Sequence, residues 1–88
     1  MIKSMRAEIG AIDAKILQQV AKRLELARNI GEEKSKLGIP VIDGNVEREV
    51  LERNKKFCAE LGLDPKLGEE LTDILIKYSI KVQNARGD

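Results

Sequence analysis

Residues 2–37 read IKSMRAEIGAIDAKILQQVAKRLELARNIGEEKSKL, and this stretch decides the fold. It holds no Pro and only two Gly, Gly10 and Gly31, so nothing in it has to break a helix. At about 100° per residue, Ile2, Met5, Ile9, Ile12, Ile16, Val20, Ala27, Ile30 and Leu37 share one stripe. Gly38 and Pro40 end the pattern, as a C-terminal Gly and a following Pro should. The spacing therefore predicts one helix from about Ile2 to Leu37, about 50 Å long.

Two shorter helices follow. A loop runs from Gly38 to Asn45, with Asp43 and Asn45 both able to cap what comes next. The second helix is expected from about Val46 to Leu61, with Val46, Val50, Phe57 and Leu61 facing inward and Gly62 stopping it. Asp64-Pro65 reads as an N-cap and first helical residue. The third helix then runs from Pro65 to about Ala85, burying Leu67, Leu71, Ile74, Leu75, Tyr78 and Val82. This is an all-α chain of three helices, long, short and medium, forming a single domain over residues 1–88. The two short helices cover only part of the long stripe. Long apolar stripes seldom stay exposed, so a two-fold homodimer is expected.

Composition excludes several kinds of chemistry. The chain has no His, and Cys58 is its one Cys, so an internal disulfide, a His-based triad and an ordinary metal site are all ruled out. No cofactor is expected. Sixteen basic residues against 15 acidic leave a net charge of +1, which gives no general reason to bind nucleic acid. Phe57 and Tyr78 are the only aromatics, too few for base stacking. No apolar run is long enough for a membrane span, no signal peptide is visible, and a reduced, cytoplasmic setting is expected.

Several polar residues break the apolar pattern. Along Ile16, Val20, Arg23, Ala27, Ile30, Lys34 and Leu37, two cations stand where apolar residues are expected. Either they snorkel to water or pair with nearby Glu, or something anionic meets them. Arg6 lies at the edge of the same stripe. Arg48 and Glu49 fall in the first turn of the second helix, where Glu49 also suits the helix dipole. Ser79 and Gln83 are four apart and stack on one face of the third helix. Ordinary solvated helix surface accounts for each one singly. Together they describe a cavity with several cations, one carboxylate and two neutral hydrogen-bonding groups, suited to a small hydroxylated dianion.

Over nearly its whole length the chain resembles the all-helical chorismate mutases of bacteria and archaea. The segment Ile12-Asp13-Ala14-Lys15-Ile16-Leu17 with Ala21-Lys22-Arg23 is typical of that family's first helix. So are Lys34 eleven residues after Arg23, the Gly38-Ile39-Pro40-Val41 loop, Glu47-Arg48-Glu49, and the places of Ser79 and Gln83. The resemblance implies an intertwined homodimeric bundle that rearranges chorismate to prephenate. It implies that Arg6 of the partner chain and Arg23 clamp carboxylates, and that Lys34 and Gln83 donate to the ether oxygen. Glu49 would accept from the ring hydroxyl, Arg48 would support the loop side, and Ser79 would help bind a carboxylate. The family pattern of Asp, two residues and Arg-Glu leads back from Arg48-Glu49 to Asn45, so the loop reads as two residues longer, with Asp43 favoured over Asn45 as the family Asp. Rival readings are an isochorismate pyruvate-lyase of the same fold, a non-catalytic helical dimerisation or regulatory module, and a nucleic-acid-binding dimer disfavoured by the charge balance.

Overall fold

Three helices account for nearly all of the backbone: α1 over Ile2–Leu37, α2 over Gly44–Glu60 and α3 over Pro65–Asn84. A computed structural model describes residues 1–85, and no strand occurs among them. Each helix end is set by local chemistry. Gly38 adopts φ 68° and ψ 25°, the left-handed conformation that closes α1, while the Ile39 N–H donates to the Lys34 carbonyl at 2.8 Å. The Asp43 carboxylate accepts from the N–H groups of Asn45 and Val46 at 3.1 and 3.3 Å. Asp43 is therefore the cap, and α2 begins at Gly44, two residues before the expected Val46. Gly62, at φ 77°, lies in the turn after α2. Asp64 caps α3 through Lys66 N–H at 3.0 Å with Pro65 behind it, and the helix closes at Asn84, one residue short of the expected Ala85.

The order of contacts sets the chain directions. Arg23 reaches Leu75 and Ser79, and Gly31 lies against Gln83, so α1 and α3 run parallel in a constant register. Asn54 meets Thr72 and Cys58 meets Gly68, so α2 runs antiparallel to α3. Among the described residues α1 and α2 do not pack on each other; α3 alone touches both.

The packed face of α3 is not the expected one. Gly68, Thr72 and Gln83 are buried, and Leu75, Ile76, Ser79 and Ile80 are half-buried. Leu67, Leu71, Ile74 and Tyr78, expected in the core, are exposed, as are Phe57 and Leu61 of α2. The reason is size. Small and polar side chains let helix backbones approach, and the bulky side chains are left on the other face. Gly31 shows how tight the approach is. A Cβ there would stand 2.9 Å from Cα, Cβ and Cγ of Gln83, so any larger residue collides with the backbone of α3. Gly68 plays the matching part against α2, where a Cβ would meet Cys58 Sγ at 2.8 Å.

The resulting single chain has almost no interior. Ala27 is the only buried hydrophobic residue among those described, and no residue before Val20 is even half-buried. The chain measures 54 × 27 × 14 Å, about as thin as one layer of helices.

Gly31→Ala should lower the unfolding free energy despite the better helix propensity of Ala. Propensity favours Ala by about 1 kcal/mol, but overpacking against a backbone costs about 1–3 kcal/mol. Urea unfolding should show the variant less stable by up to about 2 kcal/mol. A variant more stable than the parent would mean that the close approach of α1 and α3 is wrong.

Candidate active site

Because α1 and α2 are held apart, a cleft opens between them with α3 as its floor. It encloses about 490 Å³, within the usual range for small-ligand sites. α1 contributes Arg23, Leu26, Ala27, Ile30 and Lys34; the loop and α2 contribute Val41, Asp43, Val46, Glu47, Val50 and Arg53; α3 contributes Ile76, Ser79, Ile80 and Gln83. Apolar side chains line the middle, and the polar groups stand around them.

Each polar group is held by its own neighbours. Arg23 donates through Nη1 to Ser79 Oγ at 2.5 Å and to the Leu75 carbonyl at 3.3 Å. Burial, and after it the charge of Arg53, hold the Arg23 guanidinium below its ordinary basicity. Lys34 donates to the Val41 carbonyl at 2.8 Å, which ties the end of α1 to the loop and uses one of the three ammonium donors. Asp43 faces the cleft while capping α2. Ser79 receives Arg23, and Gln83 is buried against Gly31.

Of the residues singled out in the sequence, the fold brings together Arg23, Lys34, Asp43, Ser79 and Gln83. Arg48 and Glu49 are not part of the lining. Both are exposed, and Arg48 donates instead to Asn45 Oδ1 at 3.3 Å. Besides Asp43 the cleft holds the carboxylate of Glu47, whose Oε2 is buried and hydrogen-bonds to nothing among the described residues. The reason is the cap. With Asp43 starting α2, Glu47 lies one turn on and faces the cleft, whereas Glu49 is rotated about 200° away from Glu47. The spacing of Asp, two residues and a dipeptide ending in Glu therefore falls on Asp43, Val46 and Glu47, with no longer loop and with Val in the place of Arg. Arg53 also lines the cleft and was not singled out, although Val46, Val50 and Arg53 follow the i, i+4, i+7 spacing of one face. Arg6 lies on the exposed first part of α1, outside this cleft. No cluster of metal-ligating side chains occurs among the described residues, and no helix there is long and apolar enough to cross a membrane.

The chain is similar to known proteins over nearly its whole length. The family model described as chorismate mutase type II matches residues 5–84. A chorismate mutase of Methanocaldococcus jannaschii is 35% identical over 82 residues, covering 93% of this chain and 83% of that protein. A 4-amino-4-deoxychorismate mutase of Streptomyces venezuelae is 29% identical, covering 94% of this chain and 81% of that protein. The T-protein of Enterobacter agglomerans is 31% identical over 98% of this chain, which spans only 23% of that longer protein. Helical layout, cleft and similarity agree, and the chain belongs to the chorismate mutase type II family.

Proposed function

We propose that the cleft binds chorismate and converts it to prephenate, an isomerisation that needs no cofactor. The observation that carries this reading is the convergence of Arg23, Lys34, Glu47, Ser79 and Gln83 on one cleft of small-ligand size. The reaction is a pericyclic rearrangement within one molecule. No proton moves and no nucleophile is needed, so a chain without His lacks nothing for it. The substrate has to be folded with its enolpyruvyl arm over the ring. Guanidinium forks on its carboxylates achieve that by orientation. Arg23, pre-set by Ser79 and the Leu75 carbonyl, is one fork. As the C–O bond stretches, its ether oxygen gains negative charge. Lys34 and Gln83 donate to that oxygen and stabilise the transition state more than the ground state. Glu47, with a buried carboxylate oxygen lacking a donor, accepts from the ring hydroxyl. Asp43 holds the loop end of the site by capping α2.

The same reading includes a homodimer with shared sites. It is supported by the apolar face of Ile2, Met5, Ile9, Ile12 and Ile16, each about half or more exposed in the single chain. Arg6 and Arg23 are 17 residues apart, about 25 Å along one helix, too far for one small molecule to bridge. With α1 packed antiparallel on a second α1 around Leu17, Arg6 of one chain comes beside the stretch between Arg23 and Lys34 of the other. Arg6 then supplies the second fork. The free thiol of Cys58 suits a reducing, cytoplasmic setting.

Two measurements test this function. Lys34→Ala should lower turnover of chorismate by about 100-fold or more while the circular dichroism stays helical, because a transition-state donor is lost. Near-normal turnover in that folded variant would contradict the assignment.

The second measurement is a mixing experiment. Arg6→Ala and Lys34→Ala proteins should each be nearly inactive alone. After unfolding and refolding together, half of the dimers pair unlike chains, and each such dimer has one intact site. About a quarter of the parent activity should therefore return. Verified heterodimers with no recovered activity would show that Arg6 does not act across the interface.

A further inference from the structure

Arg53 stands on the cleft wall with no partner of opposite charge among the described residues. It shares one face of α2 with Val46 and Val50, and it lines the cleft together with Arg23 of α1 while also bordering a second, shallower hollow with Lys56, Phe57 and Glu60. Among the described residues no carboxylate is within ion-pair range of either. Glu49, one turn before Arg53 and well placed by spacing, does not pair with it, and Glu52 pairs with Lys55 at 3.8 Å. Two unpaired cations facing one cleft repel each other, and their mutual effect is felt at Arg23, where Arg53 adds to the larger effect of burial. A carboxylate placed between them removes that repulsion.

Arg53 is also aimed. Its Nε donates to Asn54 Oδ1 at 3.3 Å, and Asn54 Nδ2 donates to Thr72 Oγ1 at 3.0 Å. Thr72 is 1% exposed, the most deeply buried side chain among the described residues. The guanidinium is thus fixed through its Nε to the α2–α3 seam, and its two terminal nitrogens stay unspent. Charge bookkeeping in the cleft gives a second argument. The lining side chains are three cations, Arg23, Lys34 and Arg53, against two carboxylates, Asp43 and Glu47. Without Arg53 the charges of the lining cancel, and Arg53 is what gives the cleft its net positive charge.

We propose that Arg53 is a substrate-binding residue, gripping one carboxylate of the dianion from the α2 wall while Arg23 faces it from α1, with Asn54 and Thr72 as its positioning residues. This inference rests on the proposed chorismate reading. It gives the site a cation on the helix where Val46 provides none.

The test uses Arg53→Gln, Arg53→Lys and the parent protein, with chorismate as substrate and a dianionic bicyclic ether dicarboxylate as a transition-state mimic. A hydrogen-bonded charge of this kind is typically worth about 10- to 100-fold in binding. Arg53→Gln should raise KM for chorismate and Kd for the mimic by at least about tenfold, and Arg53→Lys by less. The melting temperature of unliganded Arg53→Gln should equal or exceed that of the parent, since a repelling cation has gone. A purely structural Arg53 would lower the melting temperature and leave Kd of the folded protein unchanged. KM and Kd within twofold of the parent values, or weakened binding only in step with unfolding, would overturn the proposal. If the parent binds the mimic but does not turn over chorismate, the proposed reaction fails while the Kd series still decides Arg53. If the parent does neither, both fall.

Discussion

Everything in this chain depends on how closely α3 can approach its two neighbours. Gly31 on α1 admits the backbone of α3 at Gln83, and Gly68 on α3 admits α2 at Cys58. Side chains of ordinary size at these two points would push the helices apart. The two approaches lie toward opposite ends of α3, so α3 is gripped by α1 near its C-terminus and by α2 near its N-terminus. The remaining space between α1 and α2 cannot close, because no direct packing holds those helices together. The cleft is the gap that this arrangement leaves, and Gln83 enters it because Gly31 has no side chain.

That origin explains why the face of α3 turned toward its own chain mixes Gly68, Thr72, Ser79 and Gln83 with Leu75, Ile76 and Ile80. A core built of Leu and Ile would fill the gap. Thr72 and Ser79 instead make hydrogen bonds across it or beside it, Thr72 by accepting from Asn54 and Ser79 by accepting from Arg23. The cost falls on stability. A half-buried guanidinium whose basicity is lowered by burial is in an unfavourable place until an anion arrives. Arg23 has no carboxylate within ion-pair range among the described residues, so in the proposed function the substrate supplies that charge.

Much of this was legible in the residues. The 36-residue helix followed from one uninterrupted stripe ended by Gly38 and Pro40, and Asp64-Pro65 marked the start of α3 unambiguously. Arg23 and Lys34 were visible because they interrupt an apolar period, and the cleft does contain both. Glu47 was missed because the dipeptide Arg48-Glu49 drew the family pattern two residues along α2, whereas counting the spacing from the cap Asp43 lands on Val46-Glu47. Arg53 was missed for a different reason. A cation on an amphipathic helix reads as solvated surface unless the opposite wall of a cleft is known. The packed face of α3 was misjudged because the apolar period points to the largest hydrophobic face, whereas packing within one chain here follows the smallest residues.

The bulky face left over then carries its own physical consequence. Leu67, Leu71, Ile74 and Tyr78 on α3 and the run from Ile2 to Leu17 on α1 are all exposed in a body only 14 Å thick. Burying each such side chain is worth about 1.5–3 kcal/mol, so leaving all of them in water forfeits more than the whole stability of a typical small domain. A sheet of three helices with one small-residue face already used has no way to bury the other face by rearranging itself. Another surface of similar shape would cover it, and in the proposed dimer a two-fold copy provides one. In the proposed dimer the same α1 residues that cover the partner's apolar face also carry Arg6 toward the partner's cleft. Assembly and catalysis are then inseparable in this fold, because the helix that makes the chain stable is the helix that completes the site.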